Sequence, residues 1–388
     1  MIATTPVSRE ELIQRATSLV PKLRDRAERA DQLRRLPDET IADLTDAGLF
    51  RIGNPDRFGG LGLDVDTSFE VTMELGRGCG STAWCYSVLT NHNWLLGHWP
   101  EQAQQEYFAD SPDTLSSSGF DPGRSRVEVV SGGYRLSGRW SFSSGCDAAQ
   151  WVMVGGLASG GPHLFLVPMR DVTIEDTWFV SGMRGTGSKD VTIDDAFVPS
   201  HRAVEMRRMR AAETDGWALH GRPSYRVPMF ALSLGLVAPI VGIARGAVEA
   251  FAEQLHGRKR RDGTDATHAV ATQLRLAEAS AEADTARTLA RHNTRDLLDR
   301  AARGETFTML DRVRYRRDQV FMVNLSVRAV SRLFEAGSGS AIQDSNPLGR
   351  FHRDALAASQ HMAIRWDDYA EQYGRVALGL DPSPTSFL

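Results

Sequence analysis

Cysteine is scarce in this sequence. Cys79, Cys85 and Cys146 are the only three in 388 residues. An odd, sparse count without paired spacing excludes a disulfide framework. Neither Cys79 nor Cys85 belongs to a Cys/His cluster, so no metal is expected. Long apolar runs are missing too. No stretch reaches the roughly 18 consecutive apolar residues of a membrane span, and Met1 to Glu10 lacks the apolar core of a signal peptide. The expected setting is a reducing cytoplasm with no membrane contact. Charge of one sign is not in excess: the net charge of -4 gives no reason to expect a nucleic-acid partner. Two nucleotide fingerprints are absent as well. No GxGxxG turn follows a strand with an acidic residue about 20 positions on, and no GxxxxGKS or GxxxxGKT loop occurs.

What is present is an ordinary globular composition, 41% hydrophobic and 24% charged, at a length that suggests two or three domains. The first stretch is helical in pattern. Ser8 with Glu11 has the spacing of a capping box. Leu12, Leu19 and Leu23 recur at helical spacing, and Pro21 is expected to divide or kink that run. Pro37-Asp38 opens a second helix that ends near Gly48. Arg57 to Leu63, with Gly59, Gly60 and Gly62, reads as a loop. Thr67–Arg77 and Ser81–Gly97 read as two more helices, the second apolar enough to be buried.

The character changes near Pro112. Val127–Val130, Tyr134–Ser137, Trp151–Val154, His163–Val167, Val172–Asp176 and Asp190–Ile193 read as strands, with a hairpin signal at Ser131-Gly132-Gly133. This predicts an antiparallel barrel or sandwich. Helical patterning returns near Met229. Leu232–His256 carries Gly235, Gly242, Ala244 and Gly246, small residues that allow close helix approach. Ala266–Arg303, Met309–Ala336, Pro347–His361 and Trp366–Leu380 follow, which describes an antiparallel bundle. The fold class is α+β: a helical domain over 1–110, a β domain over 111–215 and a helical bundle over 216–388.

Four stretches carry candidate chemistry. Gly138 to Gly145 runs from a strand into Phe142, Ser143 and Ser144. Hydroxyls and free backbone N–H groups beside an aromatic wall, Phe142 or Trp140, suit a flat ring with polar edges; an ordinary polar turn has the same composition. Ser181 to Asp190 holds three glycines and is a loop that a ligand or another backbone approaches closely. The basic run Arg258 to Arg261 and the loop Ser338-Gly339-Ser340 sit at breaks between bundle helices, where phosphate can be held, although each alone could be a surface turn. Gln360-His361 lies nine residues beyond His352. On a continuous helix the two histidines would face opposite ways.

The runs GGYRLSGRWSFSSGCDAAQW, FLVP, GMRGTGSKDV and FVP, then GLVAPIVGIARGAVEA, QLRLAEASAEADTAR and PLGRFHRDALAASQH, resemble the acyl-CoA dehydrogenase superfamily in order over nearly the whole chain. Within it, Phe142-Ser143-Ser144-Gly145, Asn91-His92-Asn93-Trp94 and Gln360-His361 are similar to the oxygenase components of two-component flavin monooxygenases, the hydroxylases of phenols, aromatic polyketides and indoles. The dehydrogenases commonly carry a catalytic Glu either in a C-terminal Tyr-Glu-Gly motif, which Ala370-Glu371-Gln372 does not match, or earlier in the bundle.

The resemblance implies a reduced flavin, FADH2 or FMNH2, and O2 as co-substrate, working through a C4a-(hydro)peroxyflavin shielded from water. It implies a separate NAD(P)H:flavin reductase, a small aromatic substrate and a homotetramer. Phe142, Ser143, Ser144 and Ser118 are the expected flavin contacts, with Ser144 at the flavin N5. Arg258, Ser338, Gly339 and Ser340 would hold phosphate. His92, Trp94 and Trp84 would line the substrate pocket. His361 would take the substrate proton, with Ser143 and Ser144 as catalytic donors. The competing readings are an N-oxygenase of amino sugars, an acyl-CoA dehydrogenase and a helical adaptor that has lost its flavin.

Overall fold

The computed structural model describes residues 7–211, 213–260 and 263–383, with only the backbone of Trp217. Helix α1 (Arg9–Leu33) starts as its sequence signals: Ser8 Oγ accepts the Glu11 N–H at 3.1 Å. Pro21 does not divide it. Leu12, Ala16, Leu19, Leu23 and Ala27 are buried along one face. At about 1.5–3 kcal/mol for each large apolar side chain, this burial outweighs the roughly 3 kcal/mol that an interior proline costs. Helices α2 (Asp38–Asp46), α3 (Val65–Gly76), α4 (Gly80–Leu96) and α5 (Glu101–Tyr107) complete this part.

The strands are β1 (Ser116–Gly119), β2 (Ser125–Val130), β3 (Gly133–Ser143), β4 (Trp151–Ala158), β5 (Gly161–Pro168), β6 (Thr173–Glu175), β7 (Lys189–Pro199) and β8 (Ala203–Glu205). They form two four-stranded sheets, ordered β1-β4-β5-β8 and β2-β3-β7-β6. Leu136, Trp140, Val191 and Ile193 of one sheet meet Val152, Val154, Phe165 and Val167 of the other, which makes the unit a sandwich. One pair departs from the antiparallel expectation: β1 runs parallel to β4, with Ser118 opposite Met153. The pairing of β3 with β7 slips between Trp140 and Ser143. There Phe142 takes φ 66°, and its ring is turned outward, 71% exposed.

Short helices α6 (Met206–Arg210) and α7 (Asp215–His220) lead to the bundle of α8 (Leu234–Leu255), α9 (Val270–Ala302), α10 (Met309–Ala336), α11 (Pro347–Ala358) and α12 (Trp366–Ala377). The segment Met229–Leu255 is long and apolar enough to cross a membrane, but 78% of its apolar window is buried inside the fold. It packs there against α3, α4, α10 and α11. Glycine permits this: a Cβ on Gly242 would lie 2.4 Å from the Met73 carbonyl oxygen of α3.

Ion pairs lock the same junction. Glu70 and Glu74 on α3 are buried, with side chains 3% and 6% exposed. Burial alone would raise both carboxyls. Arg291 and Arg287 on α9, and Arg77 for Glu74, hold them below the ordinary carboxylate range instead. Glu74 binds Arg287 at 2.6 Å and also pairs with Arg77. Removing one partner of such a group leaves buried charge uncompensated. Glu74→Ala should therefore cost about 3–5 kcal/mol of unfolding free energy in urea titration; a change below about 0.5 kcal/mol would contradict the role given to this network.

Candidate active site

Helix α4 and the slipped end of β3 bring the first group together. The Trp84 indole N–H donates to Ser144 Oγ at 3.2 Å. Ser144 Oγ lies 2.7 Å from Ser188 Oγ, which lies 2.7 Å from Thr186 Oγ1. The Thr186 hydroxyl donates to the Met183 carbonyl at 2.9 Å. Phe142 stands beside this row with the Trp178 ring edge-on at 5.9 Å. Ser143 Oγ is buried with no hydrogen-bond partner, as are Ser116 Oγ and Ser117 Oγ on β1, which packs against β3. Such orphaned hydroxyls cost roughly 1–3 kcal/mol each. Ser143 follows the exposed Phe142 ring, and that pair suits a planar group with polar edges, as a flavin has; Ser116 and Ser117 are successive strand residues whose side chains point to opposite faces of β1. Ser118 is half-buried on the same strand.

The glycine-rich loop that carries Met183, Thr186 and Ser188 is approached by backbone. A Cβ on Gly182 would fall 2.1 Å from the Arg353 carbonyl oxygen of α11. The Met183 N–H donates to Asp354 Oδ1 at 2.6 Å. Burial, with Asp31 nearby adding to it, pushes the Asp354 carboxyl well above its ordinary range. A cavity of about 140 Å³ opens behind this loop between Arg35, Asp38, Leu89, Gly145, Asp147 and Thr186. Phe142 and His361 do not line it.

His361 joins the group from the bundle, but not from a helix. Helix α11 stops at Ala358, so His361 stands past its end with φ -62° and ψ 129°. The continuous-helix argument that opposed it to His352 does not apply. His352 is nevertheless elsewhere, stacked on Phe334 at 4.2 Å. The His361 ring sits 5.8 Å from the Trp84 ring. Its Nδ1 accepts the Ala363 N–H at 3.1 Å, so the proton of the neutral ring is on Nε2.

The imidazole is packed among protein atoms on one side and open on the other. Burial, with the Arg316 guanidinium behind it, lowers its pKa to about 4. In this geometry Nδ1 is engaged by the Ala363 N–H, and the neutral ring presents its Nε2–H. Arg316 is 1% exposed and donates to the Ala363 carbonyl and, at 2.6 Å, to Gln319 Oε1.

His92 has the opposite tautomer. Its Nδ1 donates to the Ser116 carbonyl at 2.6 Å, leaving the lone pair on Nε2. Burial lowers its pKa to about 4. It meets the edge of Phe120 at the end of β1. Trp94 is not brought to this group. It stacks on Tyr225 at 6.1 Å, in a separate cluster with Leu95 and Trp99. Glu371 on α12 is on the surface, 60% exposed and 3.9 Å from Arg375.

A second locus lies where α8 and α10 end. Arg258 Nη2 donates to Ser338 Oγ at 3.4 Å, so the basic run and the serine loop do meet. No atom would come within 4 Å of a Cβ on Gly339. The Ser340 hydroxyl is used inside the loop, on the Gly337 carbonyl at 2.9 Å. Lys259 pairs with Asp265 at 3.8 Å. Arg261 lies outside the described residues. Sequence reasoning missed Thr186, Ser188 and Arg316. The small hydroxyls of Gly185 to Lys189 were the available signal for the first two, and an arginine in an amphipathic helix gives none.

Residues 9–110 match the acyl-CoA dehydrogenase N-terminal domain and residues 234–366 the acyl-CoA dehydrogenase C-terminal domain. The chain is 38% identical over 376 residues to the flavin-dependent monooxygenase, oxygenase subunit HsaA, of Mycobacterium tuberculosis, covering 95% of each chain. It is 35% identical to the FADH(2)-dependent resorcinol hydroxylase, oxygenase component, of a Rhizobium species, covering 96% of this chain and 95% of that one. Among solved structures, XiaF from a Streptomyces species, in complex with FADH2 and glycerol, superposes with a TM-score of 0.90 at 29% identity and 98% coverage of each chain.

With its pKa lowered to about 4, His361 is half charged near that pH and predominantly neutral well above it. Its Cε1–H resonance, assigned by comparison with His361→Gln, should stay unshifted from pH 8 to pH 5.5. A titration midpoint near 6.5 would contradict the influence of Arg316 and of the packed side of the ring.

Proposed function

The chain belongs to the acyl-CoA dehydrogenase family, among members that are flavin-dependent monooxygenases, and from that premise we propose that it is the oxygenase component of a two-component system that uses reduced flavin and O2 to hydroxylate an aromatic substrate of phenol, polyketide or indole type. The observation that carries this reading is the convergence of Trp84, Ser144 and His361 beside the outward-turned Phe142. Bound reduced flavin supplies the electrons and the position at which O2 is activated.

The chain's own residues do the rest. Phe142 forms one wall for the ring, and Ser143 and Ser144 meet its polar edge, with Ser118 on the neighbouring strand. Arg258 and Ser338 hold phosphate at the bundle end. A neutral His361 donates through Nε2–H to charge that develops on the substrate side. His92 offers a lone pair at Nε2 as a hydrogen-bond acceptor. Trp84 closes the cavity against water.

Reduced flavin arrives from a separate reductase in the cytoplasm. The three domains at 1–110, 111–215 and 216–388 belong to this reading, as does a homotetramer. Large apolar side chains left open on the bundle, Val270 at 67% and Leu274 at 58% exposed, support the assembly.

Mixing the anaerobic protein–FADH2 complex with O2 and a panel of phenols and indoles, then quantifying hydroxylated product and hydrogen peroxide, tests the activity. Product from at least one aromatic is expected, and peroxide alone from every one would overturn the reading. His361→Ala should slow hydroxylation roughly 10²-fold, as loss of an oxyanion donor does, and should raise peroxide release while flavin still binds. Arg258→Ala should weaken reduced-flavin binding about 10- to 150-fold. Unchanged affinity would remove Arg258 from the phosphate site.

A further inference from the structure

The row of hydroxyls behind Ser144 has a direction. One end is the Trp84 indole N–H, which can only donate, 3.2 Å from Ser144 Oγ. The other end is the Met183 carbonyl, which can only accept, 2.9 Å from Thr186 Oγ1. Between them stand Ser144, Ser188 and Thr186, linked by two contacts of 2.7 Å. Each hydroxyl has one proton to give. After the indole, three links remain for three protons. They are filled if Ser144 donates to Ser188, Ser188 to Thr186, and Thr186 to the Met183 carbonyl. No proton is left over.

Thr186 and Ser188 are 2% and 4% exposed, so a broken link there is not repaired by bulk water. Ser144, two residues after the exposed Phe142, is only half-buried, so one side of it is open to a ligand. Its own proton points inward, and what it presents outward is a lone pair.

We propose that Ser188 and Thr186 are positioning residues that fix Ser144 as a hydrogen-bond acceptor and thereby make the site select reduced over oxidised flavin. The inference rests on the flavin reading given above, with Ser144 at the ring nitrogen N5. In reduced flavin that nitrogen carries a proton and donates; in oxidised flavin it has only a lone pair and needs a donor. A fixed acceptor matches the first and repels the second. A chain that receives its flavin already reduced, and must hold the N5 proton in place, has use for that polarity. Met183 is itself fixed by the Asp354 contact at 2.6 Å, so the accepting end of the relay is anchored to the bundle.

The test is equilibrium binding, measured anaerobically with FAD and with dithionite-reduced FADH2, on the parent chain, Thr186→Val, Thr186→Ser and Ser188→Ala. Valine matches threonine in shape but cannot accept from Ser188. Its substitution frees the Ser144 proton to point outward. The preference for FADH2 over FAD should fall about 5- to 10-fold in Thr186→Val, mainly through tighter FAD binding, an amount typical of one hydrogen bond regained or lost. Ser188→Ala, which removes the acceptor for Ser144 directly, should shift the ratio the same way. Thr186→Ser keeps the hydroxyl and should keep the parent ratio.

Equal weakening of both forms in Thr186→Val and Ser188→Ala, or no change in either, would overturn the relay while leaving the flavin reading intact. A parent chain that bound neither form would overturn the flavin reading and the relay with it.

Discussion

One hydrogen bond holds the halves of the site together: the Met183 backbone N–H to the buried carboxyl of Asp354, at 2.6 Å. It ties a loop of the sandwich to α11 of the bundle, at the point where glycine alone lets the two backbones meet. Other contacts gather on the same loop. Arg184, on the same loop, donates to the Asp31 carbonyl of α1. The Cys85 thiol of α4 donates to the Thr186 carbonyl. Trp84 reaches Ser144 because α4 lies against that loop. Without the tie, a wall from the sandwich and a histidine from the bundle would have no fixed separation, and a site built from both needs one to within about half an ångström.

The electrostatics of the site follow from burial. His92 and His361 are both held neutral, each with one ring nitrogen engaged by backbone and in opposite tautomers. The result is one acceptor and one donor without a net charge. The Arg316 guanidinium near His361 is held by a carbonyl, an amide oxygen and the face of Tyr369 at 3.7 Å, while its buried Nε has no hydrogen-bond partner. A site that must exclude water gains from this arrangement. Ionised groups would draw water in, whereas neutral dipoles fixed by backbone keep their orientation without it.

Much of this was legible in the sequence, for reasons that differ by element. Met309–Ala336 is read correctly at both ends because Thr308 and Asp311 form a reciprocal cap and Gly337 follows the last turn. The hairpin at Ser131-Gly132-Gly133 is legible because Gly132 supplies the positive φ that the turn requires. Strand β1 was not legible: Ser116 to Gly119 has no β-branched or aromatic residue, and it is extended only because β4 pairs with it. The end of α11 was hidden for a similar reason, since Ala357-Ala358-Ser359-Gln360 contains no glycine or proline to mark a stop. The companions of Ser144, Trp84 included, come from elements 60 and 44 residues away. Chain-local patterns do not encode such partners, so the serine was found and its hydrogen-bond polarity was not.

We propose a reduced flavin lying against Phe142, with its N5 edge at Ser144 and its phosphate toward Arg258 and Ser338. A crystal structure grown anaerobically with FADH2 tests it most directly. The account predicts N5 within about 3.2 Å of Ser144 Oγ, the ring between Phe142 and the Trp84–His361 side, and a phosphate oxygen on the Arg258 guanidinium. Flavin bound instead in the cavity between Arg35, Asp38 and Asp147, or with Ser144 beyond hydrogen-bond reach of N5, would contradict it.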